Sequence, residues 1–329
     1  MTERKSDIPF ATRLETFWTS FKQNAAAISN DQQFTVSWVR DHLDELQKGL
    51  LWEIVPSITG GSNLTITCEH QYNLRPLVDE IIRKAPDVEG WSFSSTRPPV
   101  PQSAWASVFH SKTAKSFPSC TVRCLPAELN FIDIEFCFGA NESKLTLKEL
   151  FALVEIILGE EFLQVWVGDI RYDKKFFGNL FGSKSQLIEL ANLRSHCNML
   201  SEKILEGSTP PSFYFEQPAA KTGALINLSG HAEMRAMDRL TASTFYPQIL
   251  QAALAGRFWS KRYSRHDETF CYLKIEAQKD VEERSEAQGC LDNLLRTQKL
   301  GCVWGGGAGM NSAFIDLVLA YREVVLPIS

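Results

Sequence analysis

The chain has 329 residues, of which 44% are hydrophobic and 22% charged, proportions of a globular protein that exclude a disordered or coiled-coil chain. A formal net charge of -5 offers no long-range attraction for phosphate backbones or anionic lipid, so nucleic acid is disfavoured as a general partner. No run of about 18 apolar residues occurs, and the opening Met1-Thr2-Glu3-Arg4-Lys5-Ser6-Asp7 lacks the apolar core of a secretory signal; a cytoplasmic, non-membrane protein is expected.

Phe10, Leu14, Phe17, Trp18 and Phe21 recur at helical spacing, and Val36, Val39, Leu43, Leu46 and Leu50 do so again after Ser29-Asn30-Asp31. Two amphipathic helices therefore open the chain. Residues 51–57 and 63–68 are β-rich and flank Ile58-Thr59-Gly60-Gly61-Ser62, whose paired glycines predict a hairpin. Leu74, Leu77, Val78, Ile81 and Ile82 predict a helix that ends at Ala85-Pro86, before a strand over 91–96. After Arg97-Pro98-Pro99-Val100-Pro101 the same order returns, with strands over 120–125 and 131–138, a helix over 145–158 and a strand over 162–170. A duplicated β-β-α-β unit is expected, each helix covering one face of a mixed sheet.

Phe176-Phe177-Gly178-Asn179-Leu180-Phe181-Gly182, a helix over 185–205 and Gly207-Ser208-Thr209-Pro210-Pro211 suggest a hinge. The expected division is an N-terminal α+β domain over 1–175, a hinge and linking helix over 176–215, and a C-terminal domain over 216–329. In that last part strands are predicted over 224–228, 258–263, 269–276, 302–304 and 313–319, with helices over 233–255 and 280–298. The order β-α-β-β-α-β-β predicts a ferredoxin-like sandwich with one strand added, a fold that does not decide function.

Eight cysteines lack the spacing of a zinc site or disulfide framework, so a reduced protein without metal or cofactor is expected. Cys68, Cys137, Cys271, Cys290 and Cys302 lie in apolar patterns and read as small buried hydrophobes. Cys120 and Cys124 fall on one face of a strand with no second ligand pair.

His231-Ala232-Glu233 has the His-x-Glu of zinc-dependent deaminases, in which the histidine binds metal and the glutamate shuttles protons. The downstream Pro-Cys-x-x-Cys that this chemistry requires is missing. Gly305-Gly306-Gly307-Ala308-Gly309 lies between two strands rather than before a helix, so a hairpin loop or bulge is expected, with approach of a ligand or partner to bare backbone as its functional reading. Arg257, Lys261, Arg262, Arg265 and His266 interleave with Phe258, Trp259 and Tyr263; read as a strand, they give a solvated edge or a surface for an acidic protein partner. Asp133 and Glu135 alternate with Ile132, Ile134 and Phe136, as in a sheet with one wet face.

Five short motifs carry a family likeness over about residues 10–172. They are Phe17-Trp18-Thr19-Ser20-Phe21, Leu64-Thr65-Ile66-Thr67, Ala85-Pro86 followed by Gly90-Trp91-Ser92-Phe93, Ile132-Asp133-Ile134, and Leu158-Gly159-Glu160. In their order and spacing they resemble an uncharacterised bacterial protein family of unknown function. The resemblance implies an intracellular bacterial protein of the immunity or inhibitor kind and carries over no catalytic residue. The expected function is thus a non-enzymatic binding protein, an immunity-type inhibitor of a toxin, with Gly305, Gly306, Gly307, Gly309, Arg257, Trp259, Lys261, Arg262 and Arg265 as binding residues. The alternative is a metal-dependent or nucleotide-related enzyme that uses His231 and Glu233 or the glycine segment.

Overall fold

A computed structural model describes residues 8–57, 60–69, 71–139, 145–172, 186–207, 224–236, 238–276 and 281–320. The chain divides into two compact units, Met1–Pro98 and Pro99–Ser329. The division therefore falls inside the expected N-terminal domain, at the proline pair between the two β-β-α-β segments. Each segment closes an apolar core of its own, which is why contacts thin out there. Residues 176–185 and 208–215 of the expected hinge lie outside the described residues.

In the first unit, α1 (Phe10–Asn30) and α2 (Gln32–Leu46) follow one another across Asp31, whose carboxylate accepts the Gln33 and Phe34 backbone N–H groups and so caps α2. Arg13 on α1 donates to the Glu45 and Leu46 carbonyls, satisfying the other end of α2. Strands β1 (Leu51–Pro56) and β2 (Ser62–Thr67) form the expected antiparallel hairpin, with Ile54 opposite Leu64. After α3 (Arg75–Arg83) the chain returns as β3 (Trp91–Ser94), parallel to β2. Trp52, Ile54, Leu64, Ile66, Trp91 and Phe93 alternate onto one sheet face, where Leu14, Phe17, Trp18 and Phe21 of α1 and Val78 and Ile81 of α3 cover them. Trp18 also donates its indole N–H to the Ile81 carbonyl at 3.0 Å, so even the polar edge of that ring is used.

The second unit opens with α4 (Trp105–Thr113), an unpredicted helix in which Trp105, Val108 and Phe109 have helical spacing. Strands β4 (Cys120–Pro126) and β5 (Ile132–Phe138) pair antiparallel; α5 (Leu147–Leu158) follows, and β6 (Val167–Tyr172) returns parallel to β5. Both β-β-α-β segments thus have one connectivity, a hairpin whose second strand is joined by a parallel third. The expected strand over 162–170 is α6 (Glu160–Trp166) followed by β6. Gly159 turns the chain with φ +85°, which favours glycine and lets a second helix start immediately after α5. A short β7 (Ile188–Glu189) pairs with β4, and α7 (Leu193–Gly207) packs with α4 and α5 over the apolar side of the sheet β6-β5-β4-β7.

The rest of the second unit is an antiparallel sheet in the order β10-β12-β11-β9-β8, built from β8 (Ala224–Asn227), β9 (Thr241–Thr244), β10 (Thr269–Glu276), β11 (Gly301–Ala308) and β12 (Ser312–Leu319). This is α+β, but the chain runs differently from the expected ferredoxin-like β-α-β-β-α-β-β order. The predicted helix over 233–255 is three pieces: α8 (Ala232–Ala236), β9, and α9 (Pro247–Leu254), which begins at a proline. Asp238 at φ +61° ends the first piece, and the β-branched Thr241 and Thr244 suit a strand. The predicted strand over 258–263 is instead a short helix, α10 (Ser260–Tyr263). Helix α11 (Val281–Thr297) connects β10 to β11 and covers Val303, Ile315 and Leu317 through Leu295. No helix among the described residues is long and apolar enough to cross a membrane.

Candidate functional site

The basic and aromatic segment does not lie along a strand edge. Trp259, Tyr263 and Arg265 are buried, and Phe131 from the β4–β5 turn packs with Tyr263, Phe270 and Trp304 in one cluster that joins the two sheets of the second unit. The Arg265 guanidinium donates to the carbonyls of Asn130 (3.1 Å), Val165 (3.3 Å), Arg262 (3.0 Å) and Ser264 (2.8 Å), and lies 4.4 Å from the Trp166 ring centroid. Arg262 donates to the Gln164 and Val167 carbonyls, and Lys261 pairs with Glu161 at 2.5 Å. One Glu268 carboxylate oxygen accepts the Ser264 hydroxyl and the Arg265 and His266 backbone N–H groups, each at 2.8 Å, and so shapes the loop after α10. Arg257 alone of the proposed cationic residues here is exposed without being part of this internal latch. Alternation could not reveal this arrangement, because α10 breaks the strand on which that reading depended.

The glycines also sit elsewhere than expected. Gly305, Gly306 and Gly307 are buried in β11, flanked by β12 on one side and β9 on the other. Their requirement is room rather than backbone freedom: a β-carbon at Gly305 would stand 2.7 Å from the Ser243 carbonyl oxygen and one at Gly306 2.8 Å from that of Phe314. With both strand neighbours in place, these amides do not form the open cradle a phosphate needs. The hairpin turn lies at 309–311, where the Asp238 carboxylate accepts the Met310 and Asn311 N–H groups at 2.8 Å; these two bonds hold its pKa below the usual carboxylate range. A β-carbon on Gly309 would overlap the Asp238 carbonyl. We expect Gly309→Ala to cost about 3 kcal/mol in urea unfolding by overpacking this turn. Gly289→Ala, on an exposed stretch of α11 with nothing within 4 Å, is the matched control and should be neutral or stabilising by about 0.5–1 kcal/mol.

Above the glycine strand lies a buried ion pair that sequence reasoning did not assemble. Arg239 and Asp316 meet at 2.5 Å with side chains only 8% and 6% exposed, and the guanidinium lies 5.1 Å from the Phe314 ring centroid. A β-carbon at Gly307 would stand 3.0 Å from Arg239 Nε and one at Gly305 3.2 Å from the Asp316 carboxylate, so the missing side chains make space for the pair. The available sequence signal was an acid, Asp316, inside the apolar run 313–319 that follows the glycine-rich segment.

His231 is exposed just before α8, and the Glu233 side chain lies outside the described residues. Among the described residues no group of three or more His, Cys, Asp and Glu side chains is placed to hold a metal ion. Asp133 and Glu135 do share the polar face of their sheet: Arg171 meets Asp133 at 2.7 Å, and Arg123 reaches Glu135 from the neighbouring strand at 3.3 Å. Such a cross-strand ladder neutralises the acids and explains their alternation. Cys68 and Cys302 are buried as expected, Cys137 and Cys271 are half-buried, and Cys290 is exposed on α11.

A further candidate is the longer of the two terminal strands of the five-stranded sheet. Among the described residues the only strand β10 pairs with is β12; on its other side the Phe270 N–H is taken by the Ser260 hydroxyl at 3.0 Å, so the open edge runs over 271–276. Tyr272, Leu273 and Ile275 on it are 47%, 36% and 37% exposed. Leu273 and Ile275 project to the α11 side and Tyr272 to the other, so apolar groups line both faces of this edge strand. Natural edges are usually short, bulged or covered; here only Lys274 and Glu276 supply charge. A strand apolar at both parities until a terminal Lys-x-Glu was the available sequence signal. No protein-family model, no curated protein and no solved structure matches this chain.

Proposed function

We propose that the chain is a non-enzymatic cytoplasmic binding protein that takes a protein partner by strand addition along β10. The observation that carries this reading is the edge over 271–276, which has no second strand partner among the described residues and carries Tyr272, Leu273 and Ile275 exposed. In such a mode the backbone ladder supplies affinity, and alternate side chains on the two faces select the partner. The resemblance over residues 10–172 supports a toxin as that partner, with the chain as its immunity-type inhibitor.

The test uses the full chain as bait in its native host, beside the Leu273→Lys/Ile275→Lys variant. We expect a stoichiometric partner whose capture falls about 100-fold in the variant, as loss of two central apolar contacts implies. Circular dichroism and melting of both proteins verify that the variant keeps its fold, since the two side chains are only about one third exposed. If that partner is a toxin encoded nearby, co-expression of the wild-type chain restores growth and the variant does not. A partner held equally well by both proteins removes β10 from the interaction. Failure to recover any stoichiometric partner removes the binding role itself.

A further inference from the structure

Cys124 on β4 and Cys197 on α7 hold their sulfur atoms 3.7 Å apart inside the apolar core of the four-stranded sheet. Neither belongs to the β10 edge, and both are free thiols. Strand β4 is an inner strand, bonded to β5 and β7, and α7 leads out of this sheet toward β8. A bond between these sulfurs would therefore pin the exit helix to the middle of its sheet.

We propose that Cys124 and Cys197 form a redox-reversible disulfide site, closed by a peroxide and reopened by a thiol reductant. In the first step the Cys124 sulfur, as thiolate, attacks one peroxide oxygen; the O–O bond breaks, the departing oxygen leaves as water once protonated, and Cys124 becomes a sulfenic acid. The Cys197 sulfur then displaces the sulfenic oxygen, which departs as a second water while the S–S bond forms. Two thiols and one hydrogen peroxide become one disulfide and two waters, the thiols being oxidised and the peroxide reduced. Cys124 acts first because it retains slight exposure at 5%, whereas Cys197 has none. The sulfurs must approach to about 2.05 Å, a shift of roughly 1.6 Å.

The hydrogen bond with the Cys124 thiol, and then burial, push the Cys197 thiol up, so closure is slow and follows local opening rather than fast thiolate chemistry. Once formed, the link joins residues 73 apart in sequence, and a long closed loop restrains the unfolded chain strongly. The melting transition of the second unit should rise by about 5 °C, and amide exchange within α7 should slow about tenfold.

The experiment treats the reduced full-length protein with excess hydrogen peroxide over hours, after native alkylation has blocked the exposed Cys290. Non-reducing digestion and mass spectrometry should recover a Cys124 peptide joined to a Cys197 peptide. The thiol count under denaturing conditions should fall by two, and dithiothreitol should restore it. Cys124→Ala, verified as folded by circular dichroism, should show no peroxide-dependent change in melting. Since a buried alanine can destabilise on its own account, the wild-type peptide map is decisive without the variant. A thiol count unchanged by peroxide, a link involving Cys120 instead, or oxidation that dithiothreitol does not reverse each overturns the proposal.

Discussion

Asp316→Ala is expected to destabilise the second unit by about 3–5 kcal/mol, because it leaves the Arg239 guanidinium buried without its counter-charge. Arg239 has nowhere to turn: its side chain is 8% exposed, its Nε has no hydrogen-bond partner, and β11 lies directly beneath it with Gly307 where a side chain would otherwise stand. Its other hydrogen bond, to the Gly306 carbonyl at 3.4 Å, is long and weak, and the Phe314 ring face 5.1 Å away does not replace a carboxylate. Replacing both partners by apolar groups, as in Arg239→Met/Asp316→Leu, should recover most of the loss, since two desolvated charges then disappear together. The measurement is amide hydrogen exchange of β11 and β12 under denaturant, which reads this sheet separately from the first unit. Equal losses in the single and double variants would show that packing rather than the uncompensated charge sets the cost.

Arg265→Ala should be comparably damaging, at about 4 kcal/mol, through several buried carbonyls left without a donor. The side chain reaches from the loop after α10 to the carbonyls of Asn130 and Val165, so it fastens the five-stranded sheet to the β4–β5 turn and the end of α6. Leu129 and Asn130 both have positive φ, at 56° and 58°, and for leucine that conformation carries strain. Held by Arg265, the turn keeps Phe131 against Tyr263, with ring centroids 5.9 Å apart. Exchange protection should fall together around 129–131 and 260–268 in the alanine variant. Arg265→Lys retains charge but not the planar fork that serves several oxygens at once, so about half the loss should persist. Loss of protection on only one side of this contact would refute the latch.

Local chemistry made much of the fold legible. The helical spacing from Phe10 to Phe21, the Gly60-Gly61 turn, the stripe from Leu74 to Ile82 and the alternation from Phe131 to Phe138 each correspond to an observed element, because apolar period and turn residues act within a few positions. The recurring β-β-α-β order likewise returned as two sheets with the same hairpin-plus-parallel-strand pairing. The candidate sites were less legible, since a charged or glycine-rich segment looks alike in sequence whether water or another strand covers it.

Residue type by itself determined that 305–307 carry no side chains, that 257–266 are cationic and aromatic, and that 269–276 form a strand. Tertiary structure decided what those facts mean. Strands β9 and β12 close on Gly305–Gly307 because small residues permit close backbone approach, and the vacated space is filled by Arg239 and Asp316, 77 residues apart. The carbonyls around Asn130 and Val165 draw Arg265 inward because a buried oxygen without a donor is costly. Strand order, which no periodicity encodes, leaves β10 at the end of its sheet and so leaves ordinary apolar strand residues partly exposed there.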